Sequence, residues 1–217
     1  MRDLNQGLHD QAKTLEEREW VVTHPNGAHN LAVGVNEAVS VDIQGHAGYY
    51  CAGMNQKASI TVHGNVGVGC AENMMSGYVR VKGSASQAAG ATAHGGLLVI
   101  EGDAGARCGI SMKGIDIVVG GSIGHMSCFM GQAGRLVVCG DAGDALGDSL
   151  YETKIFVKGS VASQKKCARS TSRSCKSCSI VRASKRMPPI SNATARLASC
   201  TTSKSITPAR TDPGARI

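Results

Sequence analysis

The residues able to do chemistry here are nine cysteines, seven histidines and sixteen carboxylates in a chain of 217 residues. The histidines, His9, His24, His29, His46, His63, His94 and His125, are scattered. No two have ligand spacing on one face, so each reads as a surface or corner residue rather than a metal ligand or general base. Cys175 and Cys178 form a C-x-x-C pair with Cys167 before and Cys200 after it, and paired thiolates at turn spacing are what a four-cysteine zinc site needs. Only one such knuckle is present, however, and few apolar residues stand near enough to hold it in shape. The run Gly64-Asn-Val-Gly-Val-Gly69 looks like a phosphate loop, but such a loop must open a helix whose N-terminal amides face the phosphate, and no helical pattern follows. Asp103 and Asp141 could form the acidic pair of a hydrolase groove.

The elements that would position these residues come from a repeat. Gly45, Gly64, Gly83, Gly102, Gly121, Gly140 and Gly159 lie nineteen residues apart without a break. Four places before each glycine stand Val41, Ile60, Val79, Leu98, Ile117, Leu136 and Ile155, and two places before it stand Ile43, Val62, Val81, Ile100, Val119, Val138 and Val157. Two aliphatic columns at period two mark the buried face of a strand. Small residues recur after the glycine, Ala47, Val66, Ala85, Ala104, Ile123, Ala142 and Val161 forming one such column. Corners of a coil need such residues, because the backbone turns with positive φ and neighbouring coils approach closely. The sequence therefore predicts an all-β fold, a right-handed parallel β-helix of about seven 19-residue coils over residues 39–163. Residues 1–38 are expected to form a short N-terminal cap. One period before Gly45 stands Asn26, and the fit of Val22 and Ala28 to the columns reads as coincidence.

This repeat resolves the candidates above. The phosphate-like run becomes a corner. Asp103 and Asp141 share the place after the glycine with Ser122 between them, which sets them two coils apart, roughly 9.6 Å at the strand spacing. Solvated corner aspartates are the plain reading, and a free-standing β-helix enzyme with a groove site is the alternative. Cys51, Cys70 and Cys108 share one column; neighbouring coils could bring Cys51 and Cys70 within disulfide reach, but packed thiols in a reducing compartment are the expectation. The column between the two aliphatic ones, Asp42, Thr61, Arg80, Val99, Val118, Val137 and Phe156, faces outward and turns from polar to apolar. Contiguous exposed aliphatics mark interfaces, so Val99, Val118, Val137 and Phe156 are the candidate partner-binding surface.

The net charge of +7 is uneven. Residues 1–163 carry 11 Lys and Arg against 15 Asp and Glu, a net −4, while residues 164–217 carry 12 against 1, a net +11. A nucleic-acid reading would rest on that tail alone. The tail begins in mid-coil at Gln164, has no aromatic residue and holds ten Ser and six Thr. It is expected to be disordered. So abrupt a change of vocabulary is what an out-of-frame reading of a GC-rich gene would produce, which resequencing across codon 163 tests. No apolar run is long enough to span a membrane, and the N-terminus lacks a secretory apolar region. The expectation is a cytoplasmic protein with neither a membrane nor a nucleic acid as partner.

The stretches GHAGYYCAGMN, GNVGVGCAENMMSG and GDAGARCGISMKG resemble the GXGXG β-helix at the C-terminus of the glutamate synthase large subunit. A similar domain occurs in one of the subunits of formylmethanofuran dehydrogenase. The chain looks closer to the stand-alone small subunit of N-methylglutamate synthase and its counterparts in glutamate-synthase-like operons of rhizobia. The resemblance covers roughly residues 1–163. It implies a non-catalytic structural subunit of an oxidoreductase complex in glutamate metabolism, packed between an amidotransferase-like and a flavin-containing subunit. A subunit of a formylmethanofuran-dehydrogenase-like complex is the related alternative. FMN and an iron–sulfur cluster would then belong to the partner subunits, with no cofactor bound by this chain. In keeping with this, Met1 is followed by Arg2 and not by the N-terminal cysteine of an amidotransferase. Residues 1–163 also lack cluster-spaced cysteines and any βαβ pattern for a flavin barrel.

Overall fold

A computed structural model describes residues 2–14, 18–162 and 180–182, with the backbone alone at 11–14 and 180–182. The elements are α1 (Arg2–Thr14), β1 (Glu19–Thr23), β2 (Ser40–Gln44), β3 (Ser59–Val62), β4 (Tyr78–Val81), β5 (Leu97–Ile100), β6 (Lys113–Val119), β7 (Ala133–Val138), β8 (Lys154–Val157) and β9 (Ile180–Arg182). The strands form one sheet in strict sequence order, and every pair is parallel. A parallel partner one coil on requires a crossover, and here each crossover is the remainder of a coil, so the fold is a β-solenoid.

From β2 to β8 the register advances nineteen residues per strand: Val41 lies beside Ile60, then Val79, Leu98, Ile117, Leu136 and Ile155. These side chains, and those of the column from Ile43 to Val157, are at most 1% exposed. The parallel β-helix read from the sequence is the observed fold. Ala47, Val66, Ala85, Ala104, Ile123, Ala142 and Val161 form a second line of parallel bridges up the stack.

A third wall is built without strands. Five, seven and nine places after the repeat glycine the backbone is left-handed, as at Tyr50 (φ 57°), Ala52 (57°) and Met54 (55°), and again at Arg107, Gly109 and Ser111. Alternation with these residues points successive amides to opposite neighbours: the Tyr50 N–H donates to Val68 O in the coil after it, the Ala52 N–H to Leu31 O in the coil before it, and the Met54 N–H to Glu72 O after it. Some of these positions hold Gly or Asn, for which a left-handed backbone costs least, while others hold Ala, Ser, Met or Thr, where it carries a steric penalty.

Of the two expected reasons for the repeat glycines, close approach of the coils holds and positive φ does not. Among the seven only Gly45 has positive φ, at 143°. The others are glycine because a Cβ would strike the coil before: at Gly64 it would lie 2.7 Å from the Gly45 carbonyl carbon and oxygen, and at Gly159 2.4 Å from Gly140 O.

Residues 19–38 are also a coil. β1 joins the sheet with Trp20 beside Val41 and Val22 beside Ile43, a step of twenty-one residues and not nineteen. Val22 therefore fills the second aliphatic column, whereas the nineteen-residue spacing puts it in the first. The lid proper is α1, whose Leu8 is 1% exposed and whose Leu4 packs on the core. Asn5 Nδ2 donates to Asn30 O at 2.7 Å, and His9 Nε2 lies 3.1 Å from Val33 O. These carbonyls belong to the first coil of the described residues, whose outer edge has no neighbouring coil to donate to them, and α1 supplies the donors instead.

The expected disorder of residues 164–217, and the zinc reading of Cys167, Cys175, Cys178 and Cys200, lie outside the described residues. The exception is β9, which pairs with β8, Phe156 beside Val181. The open edge of β8 offers unpaired amides and carbonyls, and the Ile-Val of β9 meets it. Among the described residues no helix is long and apolar enough to cross a membrane.

Candidate partner-binding face

The outer face of the sheet gathers the candidate residues. Alternation sends the residues flanking the two aliphatic columns outward. Stacking then brings Asp42, Thr61, Arg80, Val99, Val118, Val137 and Phe156 into one line up the stack.

The lower half of this face is polar and internally paired. His63 Nε2 is hydrogen-bonded to Asp42 Oδ1, and Lys82 Nζ lies 3.1 Å from His63 Nδ1. With the ammonium donating to Nδ1, the ring proton sits on Nε2 and is donated to Asp42. Gln44 donates to the other Asp42 oxygen at 2.5 Å. Arg80 reaches Glu101 Oε1 with Nε at 2.7 Å and Nη2 at 2.5 Å. Spacing in the sequence does not reveal the Asp42–His63–Lys82 chain, because its members come from three coils and from two columns.

The upper half corrects an expectation. Val99, Val118 and Val137 are 1, 2 and 4% exposed, and Phe156 is half-buried. They are not an open apolar patch. The three valines stack in register on one another, and the flanking column is itself partly withdrawn from water. Tyr78, Leu97 and Asp116 are half-buried; burial pushes the Tyr78 hydroxyl and the Asp116 carboxyl up, with Arg135 opposing the shift at Asp116. Among the described residues the exposed large apolar side chains are Val21, at the lower end of this same line beside Asp42, and, off the line, Tyr49, Tyr50, Met54, Met75, Met130 and Tyr151.

The residue after each repeat glycine does specific work that the repeat pattern did not explain. His46 Nδ1 accepts from the Asn65 N–H at 2.9 Å, Asn65 Oδ1 from the Ser84 N–H at 2.8 Å, and Ser84 Oγ from the Asp103 N–H at 3.1 Å. Asp103 Oδ1 accepts from the Ser122 N–H at 2.7 Å, Ser122 Oγ from the Asp141 N–H at 3.0 Å, and Asp141 Oδ1 from the Ser160 N–H at 2.7 Å. Six side chains thus cap the corner amide of the following coil. Hydrogen bonds from Ser160 hold the Asp141 carboxyl below its ordinary range. Asp103 and Asp141 are rungs of this ladder, and a rung already accepting a backbone amide is poorly placed for general acid or base catalysis.

The remaining histidines are dispersed. His29 accepts from the Tyr49 N–H at 2.9 Å and stacks on the Tyr49 ring, centroids 4.5 Å apart. His24, His94 and His125 are exposed. Gly64 to Gly69 forms the corner and the start of the left-handed wall and opens no helix.

Four cysteines of the described residues do not fit a cluster or a nucleophile. Cys51, Cys70, Cys108 and Cys128 are free thiols with no exposed surface. Burial pushes Cys51, Cys108 and Cys128 up to about 12 and Cys70 well above its ordinary value. Iron–sulfur ligation and thiolate attack both need the deprotonated form. Among the described residues no group of three or more His, Cys, Asp or Glu is placed to hold a metal ion.

Fold and face together define a parallel β-solenoid whose coils are tied by a corner ladder of polar side chains. A 77-residue stretch, 36% of the chain, is 61% identical to Protein GlxC of Rhizobium meliloti (strain 1021). That stretch spans about a third of GlxC, 34% of its length. No family model matches the chain, and no solved structure does.

Proposed function

We propose that the chain is a non-catalytic subunit of a glutamate-synthase-like oxidoreductase complex. In this reading it packs between an amidotransferase-like subunit and a flavin-containing subunit. The observation that carries it is the identity with a rhizobial protein over 77 residues, joined to the GXGXG resemblance of the repeat. The chemistry of the described residues supports the non-catalytic part. Cys51, Cys70, Cys108 and Cys128 are buried thiols held protonated by that burial, the carboxylates after the glycines cap amides, and the glycine runs hold coils together. FMN, the iron–sulfur cluster, and the glutamine, glutamate or N-methylglutamate substrates are assigned to the partners. The solenoid is the scaffold between them, in the cytoplasm.

Co-expression with glutamate-synthase-like flavin and amidotransferase-like subunits of the native host tests this. The expected result is a complex that co-purifies at fixed stoichiometry, with flavin absorbance only when the flavin subunit is present. Flavin bound by the isolated chain, or glutamine-dependent activity in it, would overturn the assignment. Failure of the three chains to associate would do the same.

A further inference from the structure

The first amide of the corner ladder has no side-chain cap from the coil before it. In six coils the amide one place after the glycine is taken by a side chain from the coil before. The seventh such amide is that of His46, and among the described residues nothing accepts from it. The reason is local. β1 is in register with β2 through Thr23 beside Gln44, and the Gly48 N–H donates to Ala28 O just as the Gly67 N–H donates to Ala47 O. Four residues, His24 to Gly27, therefore cross a corner that two residues, Gly45 and His46, cross in the coil above. The surplus bulges: His24, Asn26 and Gly27 are left-handed at φ 52°, 48° and 70°, and the turn closes with Ala28 N–H to Pro25 O at 2.9 Å. The place one period before His46 is Gly27, which has no side chain to accept from the His46 amide.

In place of the rung there is an open groove of about 400 Å³ lined by Thr23, His24, Pro25, Asn26, Gly27, Gln44, Gly45 and His46. His46 Nδ1 accepts from Asn65, so its ring proton is on Nε2, and this residue, which lines the otherwise mostly apolar groove, has two N–H donors that no described residue accepts from, on the ring and on the backbone. The His24 ring and the Asn26 amide add further polar groups to the lining. We propose that this groove is a binding site for a small carboxylate, whose oxygen occupies the vacant rung and accepts from the His46 amide as the Asp103 carboxylate accepts from Ser122. A carboxylate suits the position because charge-assisted bonds to amides are the stronger kind, and the ladder already uses carboxylates at two of its rungs. The site is independent of the subunit assignment and stands or falls separately from it.

A ligand held by two or three bonds at an exposed corner binds on the order of millimolar. The test is amide chemical-shift mapping of the full chain titrated with sodium acetate and with L-glutamate at constant ionic strength, with acetamide and inorganic phosphate as comparisons. The expected result is a saturable shift of the His46 amide with both carboxylates, stronger than with acetamide, while the Ser84 and Ser122 amides hold still. Gln44→Trp and Thr23→Trp each fill the groove from an exposed strand end, and should weaken that binding at least about tenfold with circular dichroism unchanged. Two variants guard against one that misfolds. Absence of a saturable His46 shift, equal shifts at all corner amides, or unaltered binding in a folded groove-filling variant would overturn the proposal. Binding of phosphate tighter than of either carboxylate would replace it with a general anion site and refute the carboxylate assignment.

Discussion

Replacing Gly140 by alanine separates close approach from backbone conformation as the reason for the glycine column. The Gly140 backbone has no positive φ to strain. A Cβ there would lie 2.6 Å from both the carbonyl carbon and oxygen of Gly121 and 2.5 Å from Ser122 Oγ, whereas carbon atoms rest about 3.5–4.0 Å apart. The hydroxyl can rotate away and the backbone cannot. To gain about 1 Å the two coils must part at this corner, lengthening the Gly140 N–H to Gly121 O bond of 2.8 Å and the Asp141 N–H to Ser122 Oγ bond of 3.0 Å. Overpacking costs about 1–3 kcal/mol and each weakened bond up to about 1 kcal/mol. Reduced freedom of the unfolded chain returns about 0.4–1 kcal/mol. The net is a loss of about 3 kcal/mol, a fall in Tm of about 6–12 °C for a chain of this size. Thermal melting followed by circular dichroism measures it. Gly27→Ala is the control, since a Cβ there meets nothing within 4 Å but φ is +70°; it should cost only the left-handed penalty of about 1 kcal/mol. Adding Ser122→Ala to Gly140→Ala should not restore stability. A Gly140→Ala protein melting within about 2 °C of the parent, or full rescue by the second change, would refute coil contact as the cause.

Three further outcomes follow from the same geometry. Val119→Asp places an unpaired carboxylate where the side chain has no exposed surface, at a cost of several kcal/mol, so soluble folded protein should be lost; near-parental melting would contradict the register. Cys51, Cys108 and Cys128 should resist iodoacetamide at pH 8 in the folded protein and react in denaturant. Their folded values near 12 stand above the ordinary 9.0, so the stability they contribute is complete below pH 9 and is lost as pH rises towards 12, which urea titrations across that range would reveal. Asp141 has the opposite sign: its carboxyl is held below 3.8 by Ser160, so its contribution is present above that pH and is lost as acid protonates it. Asp141→Ser, which keeps an acceptor at the rung as Ser122 does, should flatten the acid limb of a pH-stability curve, and an unchanged limb would show that the rung does not depend on charge.

What the sequence reveals of this fold depends on whether a role demands one residue type. The two aliphatic columns were legible because a buried strand face accepts only Val, Ile and Leu at period two, and nineteen residues recur without a gap from Gly45 to Gly159. The column after the glycine was visible as a position but not as a function, because one task, accepting an amide proton from the coil above, is done there by imidazole, carboxamide, hydroxyl and carboxylate in turn. Four chemistries in one role look like tolerance when they are a shared constraint on hydrogen-bond acceptance. β1 was hidden for a metrical reason: a step of twenty-one residues moves Val22 by one column pair relative to the nineteen-residue frame, so a true coil looks like a chance match. The valines of the outer face failed differently. Their alternation placed Val99, Val118 and Val137 on the outward side correctly, yet exposure is decided by what lies across and beside the sheet, and period two carries no information about that. The vacant rung at His46 joins these cases. It exists because the first corner is two residues longer than the rest, so the feature that concealed the coil from the repeat is the one that opens the groove.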